Sequence, residues 1–361
     1  MDTLTLDGAW EYLIDDAQTP PGSGEWQAIE LPVSWWLAGL DTTGPVWFQR
    51  RVQIPDSWAA GSTSLVFAAV DYEAEVFLDG TRLGGHRGGF APFSLPVDAA
   101  TGSHLLQVRV DVPEDEYGTE FPHTKRAIRG VLGHHDARPG AWGPRGQERC
   151  AGGIWGSVEL RHHDDVALTA FGFTTTLLGS DANATARLHL QVATPDPVWG
   201  TVLVRLEGEN SEPYELWTET WLMPGDQEVV VTGFLAAPQL WWTWDHGTPH
   251  LYRASVSVRF DDREVELGTR AVGVREIGLD SGWHWTLNGR PVFVRGSNYI
   301  GSQWLSGLGP EQTAADVQLA VDANLNMLRV HAHVTVPSFY DDCDRAGVLV
   351  WQDLPMQWGY R

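Results

Sequence analysis

Apolar and polar residues alternate along much of the chain before residue 275, which is the pattern of strands with one buried face. One such segment carries five apolar residues at alternate positions: Val70, Tyr72, Ala74, Val76 and Leu78. Residues 106–112 and 254–260 alternate in the same way. Asp79-Gly80 and Asp261-Asp262 follow two of these segments and are typical of hairpin turns. Short strands separated by such turns predict antiparallel β-sandwiches.

Two sandwiches in succession are expected, because a polar cluster at residues 162–165 (HHDD) separates one β pattern from the next. We therefore place a first domain at residues 1–164 and a second at residues 165–277. Within the first domain, residues 117–153 are rich in glycine and charge and show little periodicity. A loop of that length in a compact domain is usually functional or an insertion.

The pattern changes after Gly289 and defines a third domain at residues 278–361. We predict strands at 292–295, 326–331 and 348–352, and helices at 310–324 and 338–346. Ser338 is a candidate N-cap of the second helix, and Gly347 its stop. Alternating strands and helices predict an α/β unit with parallel strands. Active sites in such units lie at the carboxyl ends of the strands.

The charge balance excludes one class of partner. The 24 Lys and Arg residues face 47 Asp and Glu residues, a net charge of −23. Binding to nucleic acid or to an anionic membrane is therefore disfavoured. The only lysine is Lys125. Because Arg is more weakly hydrated than Lys and pairs well with carboxylates, this bias suggests a salt-rich cytosol; a GC-rich genome is the alternative.

Cysteine usage and the amino terminus predict a cytoplasmic protein. Cys150 and Cys343 lie far apart in the sequence, so no disulfide framework is expected. The first residues, MDTLTL, lack a basic and then apolar leader, and no apolar run is long enough to span a bilayer. We expect no membrane association.

Several motifs, taken in order, resemble glycoside hydrolase family 2, the family of β-galactosidases, β-glucuronidases and β-mannosidases. They are residues 85–90 (GHRGGF), 153–160 (GIWGSVEL), 240–242 (LWW), 273–277 (GVREI), 287–291 (LNGRP), 295–298 (RGSN), 326–329 (NMLR), 339–344 (FYDDCD) and 347–353 (GVLVWQD). The resemblance implies a multidomain β plus α/β fold: a jelly-roll sugar-binding domain, an immunoglobulin-like β-sandwich, and the first three strands of a (β/α)8 TIM barrel.

The resemblance also implies a retaining reaction, which uses two carboxylates as acid/base and nucleophile. In the family these are glutamates at the ends of the fourth and seventh barrel strands, and this chain ends after the third. From Val292 onward the only glutamate is Glu311, at a helix start. We therefore assign no catalytic residue to this chain and expect it to be inactive alone. An unfinished barrel would expose an edge, so we expect association with itself or with a complementing chain.

Sugar-binding walls are the contribution expected from this chain. By resemblance, Arg329 and His331 end the second strand, Asp353 and Trp351 belong to the third, and Asn298 follows the first. Arg329 would either orient a catalytic carboxylate or brace the strands. Asp353 would accept hydrogen bonds from sugar hydroxyls. The Trp351-Gln352-Asp353 run is more similar to β-mannosidase-like members, which favours a mannoside slightly.

Two other functions stay open at this point. The first is a non-catalytic carbohydrate-binding protein, with the jelly roll as the binding domain. The second is a metal-dependent hydrolase, in which His331 and His333 would ligate a divalent ion, as their spacing at a strand end permits. The favoured reading requires no cofactor and no metal.

Overall fold

The computed structural model describes residues 1–42, 44–112, 124–125, 127–131, 152–179, 183–209, 211–356 and 359–360. Over these residues the protein consists mostly of β-strands arranged in several sheets. None of its helices there has the length and apolar character needed to cross a bilayer. Most of the predicted loop at 117–153 lies outside the described residues, as does Cys150.

The first part of the chain forms two main sheets. Its strands are β1 Asp2–Thr5, β2 Gly8–Ile14, β3 Gln27–Leu31, β4 Val46–Ile54, β5 Ser62–Phe67, β6 Val70–Asp71, β7 Glu73–Leu78, β8 Thr81–Arg87, β9 Phe93–Pro96, β10 Gly102–Asp111, β11 Thr124–Lys125, β12 Gly153–Ile154 and β13 Val158–His163. One sheet has the order β1-β13-β5-β9 and the other β3-β2-β4-β10-β7-β8, and every strand pair in both is antiparallel. A third, minor pairing joins β12 to β6.

One hydrophobic cluster runs between these two sheets, and it includes Trp35, Phe48, Phe67 and Val108. In the alternating segment predicted from Val70 onward, the apolar residues Val70, Ala74, Val76 and Leu78 are buried in this cluster, as expected. Its other face is not wet throughout, because Asp71 is 4 % exposed and Phe77 5 %. Phe77 packs against the buried Trp47, with ring centroids 5.5 Å apart, on the far side of the sheet. Neighbouring segments therefore cover a surface that alternation alone predicted to face solvent.

The second part of the chain is another pair of antiparallel sheets. Its strands are β14 Ala167–Leu178, β15 Asn183–Thr194, β16 Val198–Glu207, β17 Tyr214–Leu222, β18 Gly225–Leu235, β19 Tyr252–Phe260 and β20 Arg263–Val272. Their orders are β14-β15-β18 and β17-β16-β19-β20. Alternate residues such as Leu188, Leu190 and Val204 are fully buried between the sheets. This cluster runs from Val166 to Val274 and shares no buried residue with the first.

The third part begins with a small antiparallel sheet and continues into a parallel one. Its elements are β21 Ile277–Leu279, β22 Trp285–Leu287, β23 Arg290–Val292, β24 Gly296–Tyr299, α1 Pro310–Asp322, β25 Met327–Val330, α2 Pro337–Ala346, β26 Leu349–Gln352 and β27 Gly359–Tyr360. Strands β24, β25 and β26 are parallel neighbours in that order. Helices α1 and α2 pack on one face of this sheet through Val317, Phe339 and Cys343.

Two local predictions in this part were wrong. The first parallel strand is β24 and not residues 292–295, because Val292 ends the hairpin strand β23 and Phe293 is 79 % exposed. Helix α2 starts at Pro337, whose fixed φ suits the first helical turn, so Ser338 lies inside the helix and not at its N-cap. The predicted stop is confirmed: Gly347 has φ of 72°.

The parallel sheet rests on the second sandwich through polar as well as apolar contacts. Trp244 donates its indole N–H to the carbonyl of Leu325 at 2.8 Å. Asp245 accepts from Arg295 at 2.7 Å and from Asn326 at 3.1 Å. Burial opposes ionisation of Asp245, but the surrounding hydrogen bonds outweigh it and lower its pKa to about 2. These contacts hold the strands that carry the candidate site.

Candidate functional site

The carboxyl ends of the three parallel strands bring the predicted site residues together. In the strand register Asn298 is opposite Arg329, and Arg329 is opposite Trp351. Side chains alternate between the faces of a sheet, so these three share one face, and the helices cover the other. Asn298 and Trp351 are exposed, and the Arg329 side chain is 42 % exposed. The row is therefore accessible.

Asp353 is the centre of this edge. It follows β26 directly, and its main-chain N–H donates to the carbonyl of Val330. Arg329 donates from Nε to Oδ1 at 3.0 Å and pairs through Nη2 with Oδ2 at 2.7 Å. His331 Nδ1 lies 3.3 Å from Oδ2, and the main-chain N–H of Ala332 donates to the same oxygen at 3.2 Å. A bidentate Arg pair fixes both side chains in one geometry.

The electrostatic result is an ionised carboxylate at the strand ends. The Asp353 side chain is 15 % exposed, and burial alone would raise its pKa. The hydrogen bonds from Arg329 and His331 outweigh this effect and hold the pKa below its ordinary value. Ala332 adopts a left-handed backbone, with φ of 60°, as it directs its N–H at Asp353. Such a conformation is costly for a residue other than glycine and is typical of functional sites.

The protein contacts of Asp353 are unevenly divided between its two oxygens. Oδ2 has three contacts, from Arg329, His331 and Ala332, whereas Oδ1 has one, from Arg329, and so keeps an acceptor position. Asp353 therefore anchors Arg329 and His331, and its role toward sugar hydroxyls stays a prediction. Arg329 braces β25 against the end of β26, which is one of the two roles considered for it, while its guanidinium stays open to solvent. The arginine also lies over Trp351, 6.0 Å from the ring centroid.

The two histidines proposed as metal ligands are in different environments. His331 faces Asp353, with its side chain 25 % exposed. His333 is fully buried; its Nδ1 lies 3.0 Å from the carbonyl oxygen of His331, and burial lowers its pKa. Among the described residues, no group of three or more His, Cys, Asp or Glu side chains could hold a metal ion. The geometry therefore does not favour a metal centre at this strand end.

A second buried carboxylate lies near the same edge and was not found from the sequence. Asp71 lines a cavity of about 20 Å³, together with Ser34 and Trp155 of the first sandwich and Trp304 and Leu305 from the segment after β24. This volume suits about one water molecule. Asp71 Oδ1 has no hydrogen-bond partner in the structure. Burial raises the pKa of Asp71 to about 7, against the opposing charge of Arg129.

The first sandwich is joined to the strand ends at this cavity. Ser306 Oγ accepts from the main-chain N–H of Ser34 at 2.9 Å, which links the first sandwich to the segment after β24. Within the first sandwich, Trp155 donates its indole N–H to the carbonyl of Gly89 at 2.9 Å. The sequence gives no indication that Asp71 is buried, because its position in the alternating segment predicts a solvent-exposed side chain. Segments distant in the sequence bury it, among them Gly89 and Trp155 of the first sandwich and residues 303–305 after β24.

Comparison with known proteins assigns the family. Residues 166–275 match the sequence profile of Glycosyl hydrolases family 2. Over 332 residues, 85 % of this chain, the sequence is 26 % identical to β-mannosidase B of Aspergillus clavatus. These matches support assignment of the chain to glycosyl hydrolase family 2. The resemblance inferred from the ordered motifs is thereby confirmed, and the chain corresponds to the amino-terminal portion of its family 2 relatives.

Two further relatives show how much of a longer protein this chain covers. A β-glucuronidase of Streptococcus agalactiae is 25 % identical over 87 % of the chain. The crystal structure of a β-D-mannosidase from Dictyoglomus thermophilum covers 98 % of the chain with a TM-score of 0.81, at 22 % identity, and shares its fold. The chain spans 38 % of the Aspergillus protein, 50 % of the streptococcal protein and 47 % of the Dictyoglomus chain.

Proposed function

We propose that this chain is the amino-terminal portion of a retaining exo-β-glycosidase, which hydrolyses O-glycosidic bonds of β-glycosides with two glutamates that lie outside these residues. One observation carries the proposal. The parallel sheet β24-β25-β26 is covered by helices on one face, while its opposite face presents Asn298, Arg329 and Trp351 beside the Asp353 anchor. On this face Met327 and Leu349 are buried by Trp241 and Leu287, so the face is open at its carboxyl end only. Polar groups at an open carboxyl end are what an incomplete (β/α)8 barrel would present.

The finer fold follows from the same proposal. Residues 1–164 form a jelly-roll sugar-binding domain, residues 165–277 an immunoglobulin-like sandwich, and residues 278–361 the start of the TIM barrel. The inside of such a barrel is filled by side chains from all eight strands. Strands added beside β24 and β26 would therefore enclose the open face and place two glutamates opposite Arg329.

Each side chain then has a role in sugar binding or positioning. Arg329, held by Asp353, places a positive charge where a catalytic carboxylate enters the site. His331 shares this anchor and presents an imidazole edge towards the sugar. Asn298 offers an amide at the neighbouring strand end. Trp351 provides an aromatic wall and packs on Trp285, with ring centroids 5.8 Å apart.

A β-mannoside is the proposed substrate. The Trp351-Gln352-Asp353 run is most similar to mannosidase-like members of the family. Two of the relatives described above, from Aspergillus clavatus and Dictyoglomus thermophilum, are β-mannosidases. The relatives also include a β-glucuronidase and a β-galactosidase. The cytoplasmic location inferred from the sequence stays a prediction.

The test compares this chain with the product of its extended reading frame. We expect the 361-residue chain to show no turnover of nitrophenyl β-mannoside, β-galactoside or β-glucuronide. The extended product, with an Asn-Glu strand end encoded downstream of Arg361, should hydrolyse the mannoside most rapidly. Turnover by the shorter chain at the rate of the longer one would show that the catalytic pair has been misplaced. An extended product that hydrolyses none of the three would refute the function.

The proposal also predicts association of the isolated chain. In the described part of the structure β24 and β26 are the edges of the parallel sheet, and an open edge pairs readily with another chain. Leu354 and Met356, which follow β26, are 72 % and 58 % exposed. Light scattering should give a mass above the 39.9 kDa of one chain. A monodisperse monomer would contradict this expectation.

A further inference from the structure

Three tryptophans of the second sandwich are exposed to solvent, and they are far in sequence from the proposed active site. Trp199 is 51 % exposed, Trp217 60 % and Trp221 56 %. We call these three residues the tryptophan platform. Tryptophan is the residue with the largest apolar surface to bury, so several exposed rings on one face usually indicate a binding surface.

The strand register places all three rings on the outer face of the sheet β17-β16-β19-β20. Trp199 of β16 is directly opposite Trp221 of β17. Trp217 precedes Trp221 by four residues on the same strand, so the two share a face about 13 Å apart. The intervening inward residues, among them Val202 and Leu222, are fully buried in the sandwich core. The platform thus spans the length of several sugar rings.

The ring geometry favours a single twisted chain over a flat surface. The centroids of Trp199 and Trp221 lie 5.6 Å apart, with their planes inclined at 60°. Two rings inclined in this way cannot both lie flat against a planar surface such as a crystalline fibre. They can receive successive rings of one soluble chain that turns along its length. The C–H groups on the apolar side of a sugar ring meet the negative face of an aromatic ring.

Polar side chains adjoin the platform on the same outer face. Thr201 of β16 is opposite both Glu219 and Arg259 in the register. Arg259 donates to Glu264 at 2.9 Å, and Ser257 donates to the same carboxylate at 2.6 Å. Apolar rings beside ordered hydrogen-bonding groups form a surface suited to carbohydrate, which presents both C–H faces and hydroxyls.

Charge argues for a neutral glycan over an anionic one. A net charge of −23 disfavours binding of any polyanion. The chain continues from β20 into the third part, and β17 is the opposite edge of that sheet. Two of the three rings therefore lie on the edge strand opposite the one from which the chain leaves this sheet.

We propose that the tryptophan platform binds one chain of a soluble, neutral β-linked polysaccharide and thereby holds the polymer near the enzyme. This inference rests on the proposed glycosidase function, because a β-glycosidase would meet such polymers as a source of substrate. Binding and hydrolysis would take place at separate sites, so each can be lost without the other.

The test is affinity electrophoresis of the 361-residue chain in gels that contain galactomannan, hydroxyethylcellulose or carboxymethylcellulose. We expect retardation by at least one of the two neutral polymers and less by the anionic one. Trp221→Ala and Trp217→Ala should each weaken binding about ten-fold, and Trp221→Tyr should restore most of it. The matched control is Trp283→Ala, which removes a ring that is 71 % exposed elsewhere on the chain.

The outcomes separate this inference from the glycosidase proposal. No retardation by either neutral polymer, or equal loss in Trp283→Ala, would overturn the platform. So would light scattering in which Trp221→Ala alone dissolves an oligomer, since the rings would then form a protein contact. Platform variants of the extended product should hydrolyse nitrophenyl β-mannoside at an unchanged rate. If the extended product is inactive but retardation persists, only the glycosidase proposal fails.

Discussion

At the scale of single residues, one aspartate organises the strand ends. Asp353 joins Arg329, His331 and the strained Ala332 into one cluster, so its carboxylate positions the groups that would face a sugar. The sequence placed these residues at strand ends but assigned Asp353 to sugar hydroxyls. The contacts add an anchoring role, with three of the four on Oδ2, while the sugar-binding role of Asp353 stays a prediction.

Replacing the anchor should loosen the cluster. We expect Asp353→Asn to lower the free energy of unfolding by about 1–2 kcal/mol, because an amide loses the charge-assisted pair with Arg329 and one acceptor oxygen. Urea denaturation measures the change. The control Asp322→Asn alters an exposed carboxylate on α1, bonded to Gln318 at 2.8 Å, and should change stability by less than about 0.5 kcal/mol. Equal effects in both variants would contradict the anchoring role.

Asp71 should make stability depend on pH in the opposite direction from most carboxylates. Its pKa rises from the ordinary 3.8 to about 7 because it is buried. The folded state therefore binds the proton more tightly than the unfolded state. This stabilisation is complete below pH 4 and is lost as the pH rises to 7. Between pH 4.5 and 8, the wild type should lose roughly 3 kcal/mol relative to Asp71→Asn.

Urea denaturation at several pH values checks this prediction. The quantity to plot against pH is the free energy of unfolding of the variant minus that of the wild type. Asp98→Asn, which changes an exposed carboxylate of the first sandwich, provides the background curve. The Asp71→Asn curve should rise above that background as the pH increases. A curve parallel to that of Asp98→Asn would mean that Asp71 is ionised in the folded protein throughout this range.

At the scale of elements, the end of helix α2 depends on one glycine. Gly347 has φ of 72°, and its N–H bonds back to the carbonyl of Cys343. Its own carbonyl accepts from Trp244 at 3.1 Å, which ties the helix end to the second sandwich. A Cβ added at this position would lie 2.7 Å from the main-chain nitrogen of Trp244. Both the backbone angle and the lack of space therefore require glycine.

A series of three alanine substitutions should separate these two causes. Gly22 has an ordinary φ and open space around it, so Gly22→Ala should leave the free energy of unfolding nearly unchanged. Gly289 has φ of +75° and open space around it. Gly289→Ala should therefore lower the free energy of unfolding by about 1–2 kcal/mol, through the backbone angle alone. Gly347→Ala combines the angle with the collision and should cost more than either, measured by urea denaturation. If Gly347→Ala cost no more than Gly289→Ala, the contact with Trp244 would be able to relax.

At the scale of the whole molecule, the dominant feature is surplus negative charge. With 47 acidic and 24 basic side chains, 23 carboxylates have no cation to balance them. The exposed pairs, such as Arg82 with Glu75 and Arg87 with Glu73, contribute little each. Repulsion among the remaining carboxylates should therefore destabilise the folded chain in dilute buffer.

Salt should reverse this effect. At about 1 M salt the Debye length is near 3 Å, so long-range repulsion is largely screened. We expect the melting temperature to rise as KCl increases from 0.1 M to about 2 M. Sorbitol, which excludes itself from the surface without screening charge, serves as the control. A melting temperature that is the same in dilute and concentrated KCl would favour a GC-rich genome as the cause of the arginine bias.

The sequence by itself predicted local periods and the resemblance to glycoside hydrolase family 2. Alternation and turn residues predicted several strands of the two sandwiches, the helix patterns predicted α1 and α2 to within about two residues at each end, and ordered motifs carried the resemblance. Each of these signals depends on near neighbours or on short runs. Tertiary structure decided the rest. Phe293 is apolar yet exposed and lies between the strands β23 and β24, whereas Asp71 is polar yet buried and lines a cavity. Whether a side chain is buried depends on which distant segment covers it, and no local pattern contains that information.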